Sequence, residues 1–169
     1  MTEIADAVRL TETDHQRVSD LCRGCSAFFE LVEGQPATAA TAAEILGPLE
    51  SRYADGTKHV WGFEKEGRLT ALAEILEGYP SMREWYIGLL LIAPEERGKG
   101  MGTQLCACIL EWMRAEGATT VRLVVQRQNS AARTFWERQG FVVEREVVKR
   151  TGRLEGPVWI LARTVEEVD

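Results

Sequence analysis

Apolar and polar residues along the chain follow patterns that predict seven β-strands. Stretches in which apolar residues alternate with polar ones, or follow one another without a break, are typical of strands. Such stretches occupy residues 8–10, 60–63, 69–76, 85–93, 121–126, 141–149 and 158–162. Residues 85–93 are almost all apolar, which indicates a central strand covered on both faces. Pro94 ends this strand, because proline has no amide to donate to a sheet ladder.

Apolar residues spaced three and four apart predict about four helices between the strands. These helices are predicted at residues 11–24, 38–49, 100–116 and 130–139. In the third of them Leu105 and Ile109 belong to one apolar stripe, and Gly117 supplies a C-cap. The segment from Phe28 to the break at Gly34 is predicted as a connection between the first two helices.

The order of these elements, β-α-α-β-β-β-α-β-α-β-β, predicts the fold class. A mixed α/β arrangement follows, in which one sheet carries helices on its faces. The 169 residues match the length of an ordinary domain, and no internal repeat, low-complexity stretch or linker interrupts them. We therefore expect a single domain over residues 1–169.

Composition and charge narrow the class of function. With 45% hydrophobic residues the chain can form a real core, and its net charge of −6 argues against a nucleic-acid partner. Glu3 and Asp6 stand where a secretory leader would be basic and apolar. The uncharged apolar run at 85–93 is about half the length of a membrane span. A cytoplasmic protein without a membrane partner is expected.

The four cysteines, Cys22, Cys25, Cys106 and Cys108, are predicted to be free thiols rather than metal ligands. The Cys22–Cys25 spacing is that of a zinc half-site. The other two cysteines lie two residues apart on a predicted helix and therefore point to different faces. Since neither histidine has ligand spacing to them, no metal site is predicted.

The most informative segment is the glycine-rich turn Arg97-Gly-Lys-Gly100-Met-Gly102-Thr103. It joins a buried strand to a helix, whose first amides and positive dipole end form an anion site. Glycines also let the backbone approach a bulky diphosphate closely. The segment is not a P-loop and does not have the glycine spacing of a dinucleotide fingerprint. A diphosphate site is therefore predicted, in preference to a merely flexible helix cap.

Two motifs resemble those of the GNAT (GCN5-related N-acetyltransferase) superfamily. Arg97-Gly-Lys-Gly100-Met-Gly102 resembles its Arg/Gln-x-x-Gly-x-Gly/Ala signature. Asn129-Ser-Ala-Ala-Arg-Thr-Phe-Trp-Glu-Arg-Gln-Gly-Phe141 resembles its second motif, Asn-x-x-Ala-x-x-Phe-Tyr-x-x-x-Gly-Phe. The intervening helix and strand also fit, and Gly78-Tyr-Pro80 is similar to bacterial members. The resemblance implies an acyl-CoA-dependent N-acetyltransferase that acts on an amine.

The resemblance also implies where acetyl-CoA binds. The sheet of such proteins is mostly antiparallel and splayed between strands 4 and 5, and the pantetheine arm would lie in that gap. It would pair with the backbone of the fourth strand, while the diphosphate rests on the glycine-rich turn. Cofactor contacts are thereby implied for Leu90, Leu91, Ile92, Arg97, Gly98, Lys99, Gly100, Met101, Gly102, Thr103, Asn129, Phe135 and Arg138.

In this family a neutral amine attacks the thioester directly, so a base must first remove a proton from the protonated amine. Tyr86 occupies the position at which several relatives keep a catalytic glutamate, and Glu84 points to the same strand face. Glu74 on the preceding strand is a further candidate, and each carboxylate could equally be structural. A backbone amide at residues 90–92 would stabilise the oxyanion.

The departing thiolate raises a second question. Many relatives protonate it with a tyrosine at the position of Trp136, and indole cannot supply that proton. Tyr79, Tyr86 or water could substitute. The loss of a general acid costs a factor of about 10²–10⁴ in rate and does not abolish activity.

The sequence also allows functions other than acetyl transfer. Trp136 favours a non-catalytic acyl-CoA-binding or sensor domain, and a dimerising interaction module is a further alternative. Proteins of this fold commonly dimerise through their last strands, which makes a homodimer plausible. By analogy with relatives, Phe28, Phe29, Glu30 and Glu33 are expected near the acceptor pocket, and the alternative for Phe28 and Phe29 is that they cover the core. The acceptor itself remains open among antibiotic, polyamine, amino acid and protein N-terminus.

Overall fold

Seven strands form one mixed sheet in the computed structural model, which describes residues 3–50, 53 and 55–166. The strands are β1 Ala7–Arg9, β2 Thr57–Lys65, β3 Arg68–Glu77, β4 Glu84–Ile92, β5 Thr120–Gln126, β6 Val142–Thr151 and β7 Leu154–Thr164. Their order across the sheet is β1-β2-β3-β4-β5-β7-β6. Neighbouring strands are antiparallel except for β4 and β5, which run parallel. This arrangement confirms the predicted fold class.

Within the described residues five α-helices cover the sheet, one more than the sequence pattern predicts. They are α1 His15–Gly24, α2 Ser26–Glu33, α3 Ala39–Leu46, α4 Met101–Ala115 and α5 Ser130–Arg138. The additional helix is α2, which occupies the segment predicted as a connection. It buries Phe29 and Val32, three residues apart, and ends at Gly34 in the left-handed region. Because only Cys25 separates α2 from α1, the sequence offers no turn signal between them.

The two faces of the sheet carry two separate hydrophobic cores. Helices α4 and α5 pack on one face around Trp61, Ile109 and Trp136. Helices α1, α2 and α3 pack on the other face around Val18 and Leu72. Strand β4 contributes side chains to both cores, which agrees with its nearly continuous apolar sequence.

Strands β4 and β5 separate after a short parallel contact. Only three residue pairs join them, and the last is Tyr86 with Arg122. Beyond that pair β4 continues beside β3 and β5 continues beside β7. The sheet is therefore splayed at the place that the family resemblance implies.

A bulge in β4 lies next to the point of separation. Glu74 of β3 faces Leu89, whereas Ile75 faces Ile87, so Gly88 has no partner on β3. A β-bulge bends the strand that contains the extra residue and increases its twist. The bulge therefore helps to turn the second half of β4 away from β5.

Within residues 3–50, 53 and 55–166, no helix is long and apolar enough to cross a membrane. The same residues contain no cluster of three or more histidine, cysteine or acidic side chains arranged to hold a metal ion. All four cysteines are free thiols, and only Cys108 is exposed.

Candidate active site

A cavity of about 1410 Å³ fills the gap between β4 and β5 and extends beneath α2 and α3. Residues 86–92 of β4 form one wall and residues 123–126 of β5 form the opposite wall. Helices α2, α3 and α5 and the end of the β6–β7 hairpin also contribute to the lining. The cavity thus joins the predicted cofactor gap to the sheet face that carries the first three helices.

The β6–β7 hairpin is held against the end of α2, beside the cavity. Arg153 donates its backbone amide to the carbonyl of Glu33 at 2.8 Å. Gln128 Nε2 donates to the carbonyl of Leu31 at 3.0 Å. Gly152 lies so close to Glu33 that a Cβ on it would come within 2.6 Å of the Glu33 Cβ. These contacts connect the C-terminal part of α2 to the β6–β7 hairpin and to the segment after β5.

The glycine-rich turn presents backbone amides that the protein itself does not use. Arg97 donates its amide to the carbonyl of Pro94 at 3.2 Å. In the described part of the chain, the amides of residues 98–103 donate to no acceptor. Gly98 and Gly100 have φ of 75° and 80°, and no atom lies within 4 Å of where their Cβ atoms would be. Unused amides at the start of the 15-residue helix α4 fit an anionic group such as a diphosphate.

Arg97 folds back onto β4 instead of pointing away from the protein. Its Nε donates to the carbonyl of Ile92 at 3.0 Å, and its Nη2 contacts Cys25 Sγ at 3.6 Å. Cys25 Sγ donates to the same carbonyl at 3.5 Å. Arg97 lines the cavity, and its side chain ties the turn to the strand that forms the cavity wall.

The backbone of β4 alternates between β3 and the gap. Ala93 donates its amide to Thr70 of β3, so the backbone groups of Leu91 also point to β3. Those of Leu90 and Ile92 consequently point to the gap. The Ile92 carbonyl already accepts hydrogen bonds from Arg97 and Cys25, so Leu90 is the residue of this pair that offers both its backbone amide and its carbonyl to the gap.

The other predicted residues of the turn have structural partners as well. Lys99 forms an ion pair with Glu96 at 3.6 Å. Thr103 Oγ1 accepts a hydrogen bond from Gln139 at 3.2 Å. A Cβ on Gly102 would lie 3.1 Å from the ring of Phe135, so this glycine permits close packing of α4 against α5. Met101 begins α4 and is half-buried.

The second motif places two of its three predicted cofactor residues on the cavity. Asn129 is buried, caps α5 by accepting from the amide of Ala132 at 3.3 Å, and lines the cavity. Phe135 also lines the cavity. Arg138 is exposed and does not line it.

Trp136 lies in the last turn of the same helix, is buried and lines the cavity. Its ring centroid lies 4.9 Å from that of Phe135 and 5.4 Å from that of Phe141, in edge-to-face contacts. The indole is thus a packing element beside the gap, at the position where relatives keep a tyrosine.

Glu74 is the predicted base that lies in the cavity. Its side chain is half-buried, and a Cβ on the bulge residue Gly88 would lie 3.0 Å from Glu74 Oε1. Desolvation raises the pKa of the Glu74 carboxyl, and the ammonium of Lys58 at 3.9 Å partly opposes that rise. A carboxylate with a raised pKa next to the splayed strand can accept a proton at neutral pH.

Glu84 lies in a different environment and does not line the cavity. Its carboxylate accepts from the Ser81 hydroxyl at 2.7 Å and from Arg122 at 2.6 Å. These two contacts hold the pKa of Glu84 below its usual value. Arg122 also binds Glu144 of β6 at 2.9 Å, so the pair belongs to an ion network that joins β4, β5 and β6.

Tyr79 and Tyr86 meet in the cavity together with Tyr53, which the sequence pattern does not single out. The Tyr53 and Tyr79 rings make an edge-to-face contact at 4.7 Å, and the Tyr79 and Tyr86 centroids are 6.0 Å apart. Burial raises the pKa of Tyr86, which therefore keeps its proton at neutral pH. Lys58 is likewise absent from the predicted site. Only the pairing of strands brings it beside Glu74.

The chain is similar in sequence to known acetyltransferases. The model of the acetyltransferase (GNAT) family matches residues 26–141. The uncharacterized N-acetyltransferase YobR of Bacillus subtilis is 35% identical over 81 residues, which are 47% of this chain and 30% of that protein. N-alpha-acetyltransferase 30 of Schizosaccharomyces pombe is 41% identical over 56 residues, 33% of this chain and 37% of that protein. The matched segments thus span about a third of these relatives.

The fold as a whole is similar to solved acetyltransferases. The crystal structure of an acetyltransferase from Thermus thermophilus superposes with a TM-score of 0.71. That likeness covers 96% of this chain and 99% of the other at 20% sequence identity.

Proposed function

Because this chain belongs to the acetyltransferase (GNAT) family, we propose that it transfers the acetyl group of acetyl-CoA directly to the amine of a small molecule or peptide. The observation that carries this proposal is the set of unused amides at residues 98–103, at the N-terminus of α4. They directly follow Arg97, which lines the same cavity as Glu74.

The cavity offers this chain's own groups for the cofactor. Acetyl-CoA, when bound, supplies the acetyl group as a thioester. The amides of residues 98–103 would hold its diphosphate, and Leu90 would pair with the pantetheine arm. Asn129 and Phe135 would border that arm from α5. Arg97, held by the Ile92 carbonyl, would keep the turn and the strand in a fixed relation.

We assign proton removal from the amine to Glu74. Its raised pKa makes it a better proton acceptor than Glu84, whose carboxylate is bound by Arg122 and Ser81. The Leu90 amide points to the gap, and we assign to it the donation of a hydrogen bond to the carbonyl oxygen, which would stabilise the negative charge that develops there. The nitrogen–carbon bond would then form and the carbon–sulfur bond would break, and the nitrogen would release its second proton to solvent.

We assign protonation of the departing sulfur to Tyr86. Tyr86 stands at the vertex of the splay, opposite Arg122, and keeps its proton at neutral pH. Trp136 has no proton of suitable acidity. Because a thiol has a pKa of about 8.5, the thiolate tolerates a weak or distant acid.

The test is a thiol-release assay of the purified protein with acetyl-CoA across a panel of amines, together with a thermal-shift measurement with coenzyme A. Amine-dependent release and a stabilising shift support the enzyme. A shift without release from any amine would instead favour an acyl-CoA-binding or sensor domain. If coenzyme A caused no thermal shift and no amine caused thiol release, both the enzyme and the binding domain would be refuted.

A second copy of the chain is proposed as an assembly partner at β6. This strand is the outer edge of the sheet, where Val142 and Val148 are 66% and 72% exposed. Antiparallel pairing of two β6 strands with Arg145 opposite Glu146 of the second copy would also set Val143 opposite Val148. A cytoplasmic location also belongs to the proposal, since the cysteines are free thiols and acetyl-CoA is an intracellular metabolite.

A further inference from the structure

All three tyrosines of the chain line the same end of the cavity. Tyr53 precedes β2, Tyr79 lies between β3 and β4, and Tyr86 lies on β4. Their rings form a chain of contacts, with centroid separations of 4.7 Å and 6.0 Å. Three segments that are distant in sequence thus place aromatic rings on one wall.

The strand register sets these rings beside the proposed base. Tyr86 pairs with Leu76, and Leu76 pairs with Lys58 on its other side. Glu74 lies two residues before Leu76 and therefore points to the same face of the sheet. We call Tyr53, Tyr79, Tyr86, Lys58 and Glu74 the tyrosine end of the cavity.

The charges at the tyrosine end favour a cationic amine over a zwitterion. Lys58 Nζ donates to the carbonyls of Glu44 at 2.8 Å and Gly47 at 3.2 Å, and it lies 3.9 Å from Glu74. Its three N–H donors are therefore directed at groups of the protein. Glu50 also lines the cavity, near enough to Glu74 to raise the pKa of that carboxyl. A carboxylate on the acceptor would face these acids. Lys58 is already engaged by protein carbonyls, and Arg122, which pairs with Tyr86 across β4 and β5, is bound by Glu84 and Glu144.

We propose that the tyrosine end selects a small primary amine carried on an aromatic or apolar group, with no carboxylate next to the amine. The inference rests on the proposed acetyl transfer. Glu74 takes the proton of the ammonium, and the neutral nitrogen forms its bond to the acetyl carbon while the carbon–sulfur bond breaks. Tyr53 and Tyr79 are specificity-determining residues, because aromatic rings contact apolar and cationic groups favourably.

Matched acceptors test this selection on the intact protein. We expect phenethylamine to have a kcat/KM at least about 10-fold above that of phenylalanine, which differs only by its carboxylate. The kcat/KM of phenethylamine should also exceed that of putrescine, which has a second charge instead of a ring, and that of a peptide that begins with alanine. A preference for phenylalanine, putrescine or the peptide overturns the inference while the proposed acetyl transfer stands.

Variants of Tyr53 and Tyr79 test whether these two side chains determine the specificity for the amine. Tyr53→Leu and Tyr79→Leu should each raise the KM for phenethylamine by about 3- to 10-fold and leave the KM for acetyl-CoA unchanged. Met82→Ala is the control, since Met82 is 87% exposed in the same loop as Tyr79. An unchanged phenethylamine KM in both folded variants overturns the assignment.

Calorimetry of phenethylamine with the coenzyme A complex gives a readout that does not depend on turnover. Binding that Tyr53→Leu or Tyr79→Leu weakens supports the inference even if acetyl transfer is absent. Absence of binding, together with turnover of other amines, refutes the inference alone. Absence of binding and of all turnover refutes both the inference and the proposed function.

Discussion

The carboxylate of Glu74 lies directly against Gly88, the residue that the bulge of β4 leaves without a partner on β3. A Cβ on Gly88 would come within 3.0 Å of Glu74 Oε1. The absence of a side chain at Gly88 therefore lets the carboxylate lie beside the strand that forms the cavity wall. The bulge that opens the sheet and the placement of the proposed base are thus one structural feature.

Gly88→Ala is expected to displace the Glu74 carboxylate without unfolding the protein. The neighbouring atom is the end of a flexible side chain, so the Tm should change little. Misplacement of a catalytic group by tenths of an ångström to 1 Å can lower kcat by about 10- to 100-fold. Gly156→Ala is the control, because Gly156 lies in β7 with no atom near the added Cβ. Equal kcat values for the two variants would contradict the proposed role of Glu74.

Glu74→Gln should lower kcat by about 10²–10⁴-fold, since the amide cannot accept the proton. In the native protein, kcat/KM should rise with pH through a pKa above the ordinary value of 4.5. A raised carboxyl pKa means that this group favours folding most below pH 4.5 and that the benefit is lost as pH rises. The Tm of Glu74→Gln at pH 7 should therefore equal or exceed that of the native protein. Steady-state kinetics and thermal melts from pH 4 to pH 9 measure both effects.

Glu84→Gln is the matched control for Glu74→Gln and should behave in the opposite way. The lowered pKa of Glu84 contributes stability that is present above about pH 4.5 and is lost as the pH falls. The variant should therefore have a lower Tm at pH 7, by about 2–4 °C for each kcal/mol lost, and a kcat within a few-fold of native. A large loss of kcat with an unchanged Tm would move the proposed base from Glu74 to Glu84.

Gly100→Ala tests the anion site. At φ of 80° an alanine costs about 1–2 kcal/mol, and the distorted turn should weaken coenzyme A binding by about 10-fold. Gly117→Ala provides a control, because Gly117 has φ of 103° just beyond the other end of α4 and equally open surroundings. Both variants should lose similar stability, and only Gly100→Ala should raise the Kd for coenzyme A in calorimetry. If Gly100→Ala and Gly117→Ala had the same Kd for coenzyme A, the turn would not bind the diphosphate.

Tyr86→Phe should lower kcat by about 10- to 100-fold near neutral pH, and by less above the thiol pKa of about 8.5, where no proton is needed. Trp136→Tyr in the Tyr86→Phe background should recover part of the rate, since it restores a phenol at the position where relatives keep one. The pH dependence of kcat in the single and double variants measures this. A kcat for Tyr86→Phe equal to native at every pH would leave water as the proton donor.

The edge strand β6 is expected to join two copies of the chain. Val142→Lys combined with Val148→Lys places charges on the exposed strand and should convert a dimer into a monomer in light scattering. Met82→Lys adds a charge at a loop residue that is 87% exposed and should leave the mass unchanged. A native protein with the mass of one chain at micromolar concentration would contradict the proposed dimer.

The order of strands and helices along the chain, α4 and the glycine-rich turn were predictable because local patterns encode them. The apolar run of β4, the stripe of α4 and the glycines between them follow one another along the chain. Helix α2 was not predicted, since only Cys25 separates it from α1 and no glycine or proline marks the boundary. The sequence contains one indication of the bulge, since Gly88 is a glycine inside a strand. It does not indicate which residue of β3 lies next to Gly88.

By itself, the sequence determined the family resemblance and the anion-binding turn, because both depend on residues that are neighbours in the chain. Only the tertiary structure decided how the four candidate bases and acids differ. Glu84 meets Arg122, which lies 38 residues away, and Glu74 meets Gly88 across a bulge. Tyr53 joins Tyr79 through packing that no spacing reveals. The pKa and reach of a side chain depend on desolvation and on partners from other strands, and strand register sets both.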